Sequence, residues 1–415
     1  TYHIEHDAPL NADIEGIAQP MSDWVKTARV PTEVAVTTAQ AIAESQSAPG
    51  CIASLILPAD AAWQDAGEFK EAPPVPAIST PKKVSKKALE HCARIIREEE
   101  DVLILLGGKT LREPSLEWAG KLSSHCGVGL ITEFAAARTQ RGAGRVHVPR
   151  MPYVVDVALS ATKLFKHAIL VNTTPPVAFF AYPHKPSLLL SKDCQIHTLA
   201  TVPEEGPQAL VDLAMMLGAE NVEIQRQPPD LPEMPSGKLD SDRISAVVAN
   251  VLPEGAIVSD ESISMGRNLL DFTKGCPPHD WLFITGGSIG QGMPLATGAA
   301  VACRDRPVLS LSGDGSAMYT LQSLWTQARE QLNVTTVIYA NRSYAILYGE
   351  LRNVGAQPGK NTRRLFDLDN PNLNWVEMAC GMGVDGVRVE TAEELHRAMS
   401  HGLSTPGPYL IEAIC

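Results

Sequence analysis

Short, unbroken apolar runs recur along this chain with amphipathic stretches between them, and no other feature restricts the fold so strongly. Val102-Leu103-Ile104-Leu105-Leu106 is one such run and Ala168-Ile169-Leu170-Val171 is another. A strand that is apolar on both faces needs cover on both faces, as in a parallel sheet with helices above and below. The alternation therefore predicts an α/β chain with doubly wound parallel sheets. Strands are expected at 102–106, 128–131 and 168–171, with helices at 89–98 and near 153–164. A second series is expected at 256–259, 308–311, 335–339 and 409–414.

A chain of 415 residues is too long for one ordinary core. Two proline-dense stretches without period, residues 71–81 and 227–235, read as linkers and divide it in three. Residues 1–70 hold a helical pattern at 31–46 and a strand at 52–57, too little to bury a core alone. They read as the tail of a domain. The first residue is Thr1, so the expectation is a fragment or a processed product. Residues 82–230 and 236–415 each carry the βα alternation of a complete domain.

Composition mainly excludes. A net charge of -12 argues against a nucleic-acid partner, because phosphate backbones select basic surfaces. The eight cysteines are scattered with no C-x-x-C pair, which points to free thiols in a reducing cytoplasm. No apolar run is long enough for a membrane span, and no membrane partner is expected.

Two glycine-rich segments follow expected strands. Gly107-Gly108-Lys109-Thr110 lacks the first glycine of a phosphate-binding loop, since Leu103 stands in its place. It reads as a strand-ending turn. Gly286-Gly287-Ser288-Ile289-Gly290-Gln291-Gly292, between an expected strand at 282–285 and a helix, does not match the dinucleotide fingerprint. Its glycines still allow a ligand close to the backbone. His3, His6, His125, His147, His167, His184 and His197 show no metal-ligand spacing.

The chemistry concentrates further on. The strand at 308–312 runs into Gly313-Asp314-Gly315-Ser316, and the strand at 335–339 ends at Asn341-Arg342-Ser343. One crossover helix, at 321–330, separates them. Asp314 and Asn341, 27 positions apart, thus lie at the carboxyl ends of two strands, the edge where open α/β sheets bind ligands. A hard divalent cation takes oxygen ligands. Asp314 offers a carboxylate, Asn341 an amide oxygen and Ser343 a backbone carbonyl. Glycines beside Asp314 let backbone N–H groups face a phosphate, and the following helix adds its dipole.

This triplet and its distant asparagine resemble the signature of thiamine diphosphate-dependent enzymes. One position departs: Ala340-Asn341 stands where the family shows Asn-Asn. Pro49-Gly50 and Pro58-Ala59-Asp60 are similar to the end of the pyrimidine-binding domain in the acetolactate synthase and benzoylformate decarboxylase group. Residues 82–230 resemble that group's central Rossmann-like domain and 236–415 its diphosphate-binding domain. The resemblance implies thiamine diphosphate and Mg²⁺, with Asp314, Asn341 and Ser343 on the metal. It implies that Gly287 offers its carbonyl to the aminopyrimidine and that Ile289 is the apolar wedge holding the cofactor bent. Ser264 and the backbone of Gly315, Ser316 and Tyr344 would hold the diphosphate. It also implies a homodimer or homotetramer, since in this group the site joins two subunits. The activating glutamate of the family is expected outside this chain, so no catalytic acid is named and the chain alone is expected to be inactive.

The implied substrate is a small 2-oxo acid. The first reading is acetolactate synthase-like decarboxylation with carboligation. FAD is not expected, because residues 344–354 and the middle domain lack the segments of authentic acetolactate synthases. The alternative is a benzoylformate decarboxylase-like enzyme or a 2-hydroxyacyl-CoA lyase, favoured by the stretch around Trp325. A third reading is a non-catalytic cofactor-binding subunit, against which the retained Asp314 and Asn341 speak.

Overall fold

The strands form where the apolar runs lie, and the polar segments between them add others. In this computed structural model, which describes residues 1–68 and 71–415, they are β1 (Trp24–Thr27), β2 (Ala53–Ile56), β3 (Val102–Leu106), β4 (Gly129–Thr132), β5 (Arg138–Arg141), β6 (His167–Val171) and β7 (Gln195–Ala200), followed by β8 (Ile257–Glu261), β9 (His279–Phe283), β10 (Val308–Gly313), β11 (Val334–Ala340), β12 (Asp385–Val389) and β13 (Tyr409–Ile414). Phe69 and Lys70, at the expected boundary of residue 70, lie outside the described residues.

Contacts divide the chain into two compact units, residues 1–85 with 200–206, and residues 86–199 with 207–415. In the first, β1 and β2 pair in parallel and the Pro31–Gln46 helix packs on them. Proline at its first position is preorganised for a helix start. That helix buries only Thr37, Ala39 and Ala43, while Ile14, Ile17, Met21 and Trp63 stay exposed. Its apolar side is thin, as the sequence implied.

The second unit holds two sheets. The smaller has the order β4-β3-β6-β7, with β3 parallel to both neighbours and wholly buried. The larger has the order β12-β13-β11-β10-β8-β9-β5 and is parallel except at one edge, where β5 pairs antiparallel with β9. Arg-Thr-Gln-Arg in β5 shows no apolar period, and a polar antiparallel strand is an ordinary guard for an edge. The middle of the chain thereby completes the sheet of its last part.

Strand order sets the position of the site. From β8 the chain steps to β9 on one side, then returns across β8 to β10 and β11 on the other. The crevice between the carboxyl ends of β8 and β10 is therefore a topological switch point, where ligands settle in sheets of this kind.

Candidate active site at the carboxyl edge of the larger sheet

Four segments leave the carboxyl ends of β8, β9, β10 and β11, and the structure ties them together. Asp314 begins the short Asp314–Ala317 helix just after β10 and is only 3 % exposed. Its Oδ1 accepts the N–H of Gly315 at 2.8 Å and its Oδ2 the N–H of Arg342 at 2.6 Å. The second bond places the carboxylate on the turn that contains Asn341 and Ser343. Asn341 Oδ1 accepts the N–H of Ser343 at 3.1 Å, so the amide oxygen is held in the same turn. Burial drives the Asp314 carboxyl up to about 6, the two backbone donors opposing this only in part.

The glycine-rich segment is held by a residue that motif reading missed. Glu261, the last residue of β8 and 1 % exposed, accepts the N–H of Gly290 and, at 2.8 Å, that of Gly292. Burial raises its pKa, while these N–H groups work in the opposite direction. Gly290 also offers its carbonyl to Thr320 Oγ1 at 2.7 Å, which fixes the segment against the stretch after Asp314. That bond falls just before the crossover helix expected at 321–330, which forms as Ser323–Arg329; the chain adds the short Asp314–Ala317 helix ahead of it. The expected strand at 282–285 lies earlier, as β9, and the Gly292–Ala302 helix follows the segment.

Each proposed contact residue has a defined place. Gly286 and Gly287 have φ of +63° and +66° and are exposed, so this turn depends on glycine. Ile289 is half-buried in the same segment. Ser264 lies in the half-buried turn after β8, which Asp260 fixes by accepting the N–H and hydroxyl of Ser262. Gly315 has the ring of Tyr344 directly against it: a Cβ there would stand 2.4 Å from Tyr344 Cε1. The N–H of Gly315 is given to Asp314 and that of Tyr344 to the Phe366 carbonyl, at 2.8 Å each. Ser316, in the first helical turn, has no helical acceptor for its N–H.

Two residues here adopt a conformation that sequence reading did not foresee. Ile263 has φ of 49° and Arg342 has φ of 56°. A β-branched residue in the left-handed region is strained by about 1–3 kcal/mol. Ile263 immediately precedes Ser264, and Arg342 stands between Asn341 and Ser343. Such strain gathers where the backbone is shaped around a ligand.

The residues fit a divalent cation with a diphosphate. Among the described residues no cationic side chain is bonded to the buried Asp314, which sits among backbone donors, and the buried Ser343 Oγ has no hydrogen-bond partner. Among the described residues no cluster of three or more His, Cys, Asp or Glu side chains could hold a metal. A set of one carboxylate, one amide oxygen and one carbonyl is incomplete alone and suits Mg²⁺, which takes its remaining ligands from phosphate and water. No helix among the described residues is long and apolar enough to cross a membrane.

The chain is similar to known proteins over the stretch that carries these segments. Residues 265–413 match the family model described as thiamine pyrophosphate enzyme, C-terminal TPP binding domain. The chain is 41 % identical over its whole length, and over 79 % of the relative's, to IlvX of Mycobacterium tuberculosis, which bears the name of an acetolactate synthase large subunit. Over 45 % of the chain and 34 % of the relative it is 32 % identical to benzoylformate decarboxylase of Pseudomonas aeruginosa. Among solved structures, the thiamine diphosphate-dependent 4-hydroxybenzoylformate decarboxylase of Rhodococcus jostii superposes with a TM-score of 0.80 at 23 % identity, covering 99 % of this chain and 80 % of its own. That last likeness concerns the fold.

Proposed function

The chain belongs to the thiamine diphosphate-dependent enzymes, among the acetolactate synthase large subunit-like proteins, and on that premise we propose that it carries out Mg²⁺-dependent decarboxylation of a 2-oxo acid with carboligation. The observation that carries this reading is the buried Asp314 carboxylate, at the switch point of the sheet and bonded to the 341–343 turn. Asp314, Asn341 Oδ1 and the Ser343 carbonyl would hold Mg²⁺. Ser264, Ser316 and the backbone around Gly315 and Tyr344 would orient the diphosphate. Gly287 would fix the aminopyrimidine through its carbonyl, and Ile289 would press the cofactor into its bent form. When bound, thiamine diphosphate supplies the carbon nucleophile and the electron sink. The protein's part is to orient, to neutralise and to exclude water.

In the same reading, residues 1–70 are the end of a pyrimidine-binding domain, 82–230 a central Rossmann-like domain and 236–415 the diphosphate-binding domain. The working assembly is a cytoplasmic homodimer or homotetramer, with sites completed between subunits. One observation favours the benzoylformate decarboxylase-like alternative. Phe179 lies against Gly287 and is edge-to-face with Phe134, which in turn meets Phe283 with ring centroids 5.5 Å apart. Aromatic side chains beside the glycine segment suit an aromatic acyl group.

The test measures CO₂ release and acetolactate formation by the full-length protein on pyruvate and on benzoylformate. Acetolactate from pyruvate supports carboligation. CO₂ from benzoylformate without a ligation product supports the alternative. Tight cofactor binding with turnover of neither substrate would overturn both in favour of a non-catalytic binding subunit.

A further inference from the structure

The Ala345–Asn353 helix follows directly on Ser343 and Tyr344, and none of its residues is fully buried. Nine residues are too few for a helix to be stable alone, and this one buries none of them; Tyr348 donates its hydroxyl to Asp367 Oδ1 at 2.6 Å and sets its ring edge-to-face on Phe366 nearby in the sequence. Its tether to distant parts of the chain is polar. Glu350 Oε1 accepts the hydroxyl of Tyr153 at 2.9 Å and Glu350 Oε2 that of Tyr182 at 2.7 Å. The two tyrosines come from 197 and 168 residues away, one just before the Val155–Thr162 helix and one in the stretch after β6. Both carboxylate oxygens are thus engaged by charge-assisted bonds, which are stronger than neutral ones. Burial, followed by these bonds, pushes the phenol pKa values of both tyrosines upward, so both remain donors at neutral pH.

Glu350 stands six residues beyond Tyr344, about 9 Å along the helix. Tyr344 rests its ring on Gly315, and Ser343 lies in the turn bonded to Asp314. A displacement of the helix therefore moves both against the Asp314 carboxylate. Tyr153, Tyr182 and Glu350 also wall a cavity of about 190 Å³, with Arg267 and Arg352 on its lining. We propose that Glu350 is a positioning residue: the Tyr153–Glu350–Tyr182 clamp fixes the Ala345–Asn353 helix, and so holds Ser343 and Tyr344 in register with Asp314. This rests on the reading of Asp314, Asn341 and Ser343 as the cation site.

The clamp is tested first in the full chain without cofactor, by amide hydrogen exchange in Glu350→Ala, Glu350→Gln and the Tyr153→Phe/Tyr182→Phe double variant. Glu350→Ala is expected to speed exchange across residues 345–353 by about tenfold or more while the core strands keep their protection. Glu350→Gln is expected to lie nearer the wild type, because an amide can accept from one phenol and donate to the other. Titration with thiamine diphosphate and Mg²⁺ then shows about a tenfold weaker affinity in Glu350→Ala, the scale of lost outer-shell support, with partial recovery in Glu350→Gln. Unchanged exchange at 345–353, or a uniform rise across the chain with a matching fall in Tm, overturns the proposal. If the exchange result holds but the wild type itself fails to bind cofactor with Mg²⁺, the cofactor reading fails and the clamp stands.

Discussion

Strands β3 and β10 are both buried, both flanked by parallel neighbours, and both run out into a glycine and a short helical turn. Their turns face opposite electrostatic situations. Beyond β3, Gly108 donates its N–H to Glu133 Oε1 at 3.2 Å, and Thr173 donates its hydroxyl to Glu133 Oε2 at 3.0 Å. The protein's own carboxylate takes the donors that a phosphate would use. The backbone is also crowded at the strand end: a Cβ at Gly107 would stand 2.6 Å from the Asn172 carbonyl oxygen. Beyond β10 the carboxylate is that of Asp314 in the turn itself, and it accepts the N–H groups of Gly315 and Arg342. One edge has satisfied its donors internally, whereas the other has buried a negative charge that a cation would relieve. Equivalent topology thus gives an edge whose donors are taken internally in one sheet and, on the proposed reading, a receptive edge in the other.

The largest expected effect breaks the receptive edge. Asp314→Ala is expected to abolish Mg²⁺-dependent binding of thiamine diphosphate, by more than about 100-fold, since loss of outer-shell support alone costs about 10–100-fold. Calorimetric titration with and without Mg²⁺ reads this directly. The pH dependence follows from the carboxyl at about 6. A raised pKa means that the folded protein holds this proton more firmly than the unfolded chain does between the ordinary value of 3.8 and about 6. Without a cation, this group therefore favours folding more as pH falls through that window. A bound cation needs the ionised form, so its stabilising effect must shrink over the same window, by about tenfold in affinity per pH unit below 6. A Mg²⁺-dependent rise in Tm that is as large at pH 5 as at pH 7 would refute the assignment.

How much of this was readable in advance depended on whether the cause was local. β3, the Pro31–Gln46 helix and β13 lie at the residues their patterns mark, because an apolar run or an amphipathic period is written within the element itself. The Asp314 and Asn341 placement was also legible, being two strand ends joined by one crossover. The β5 strand was not, because its polar residues become a strand only by meeting β9 from a distant part of the chain. Nor was Glu261: an acid at the end of an apolar strand carries no sign that two N–H groups about thirty residues on will need it. The left-handed Ile263 and the Tyr153–Glu350–Tyr182 clamp are likewise products of tertiary packing, with no local pattern to reveal them.

Glu261 holds the glycine-rich segment at this edge, and removing it has the next largest effect. Glu261→Ala would leave the N–H groups of Gly290 and Gly292 buried and unpartnered, at about 1–3 kcal/mol for each. A loss of about 2–4 kcal/mol in urea denaturation is expected, together with weaker cofactor binding, since the segment carrying Gly287 and Ile289 loses its anchor. Unaltered stability would show that water replaces the carboxylate and that the segment is held from elsewhere.

The smallest effect belongs to the plugged edge, and it is the sharpest check on the comparison. Glu133→Ala removes the internal anion but leaves Gly108 N–H and Thr173 Oγ1 facing a partly accessible crevice. Water can serve both, so the loss of stability should be about 1 kcal/mol or less, and affinity for thiamine diphosphate should not change. If Glu133 acts as a built-in substitute for phosphate, its removal turns the β3 edge into a weak anion site. Inorganic phosphate should then raise the Tm of Glu133→Ala and leave the wild type unmoved. The gain would be about 0.4 kcal/mol when phosphate equals its dissociation constant. Should phosphate stabilise neither protein, the close contact at Gly107, and not the Glu133 carboxylate, is what keeps that edge shut.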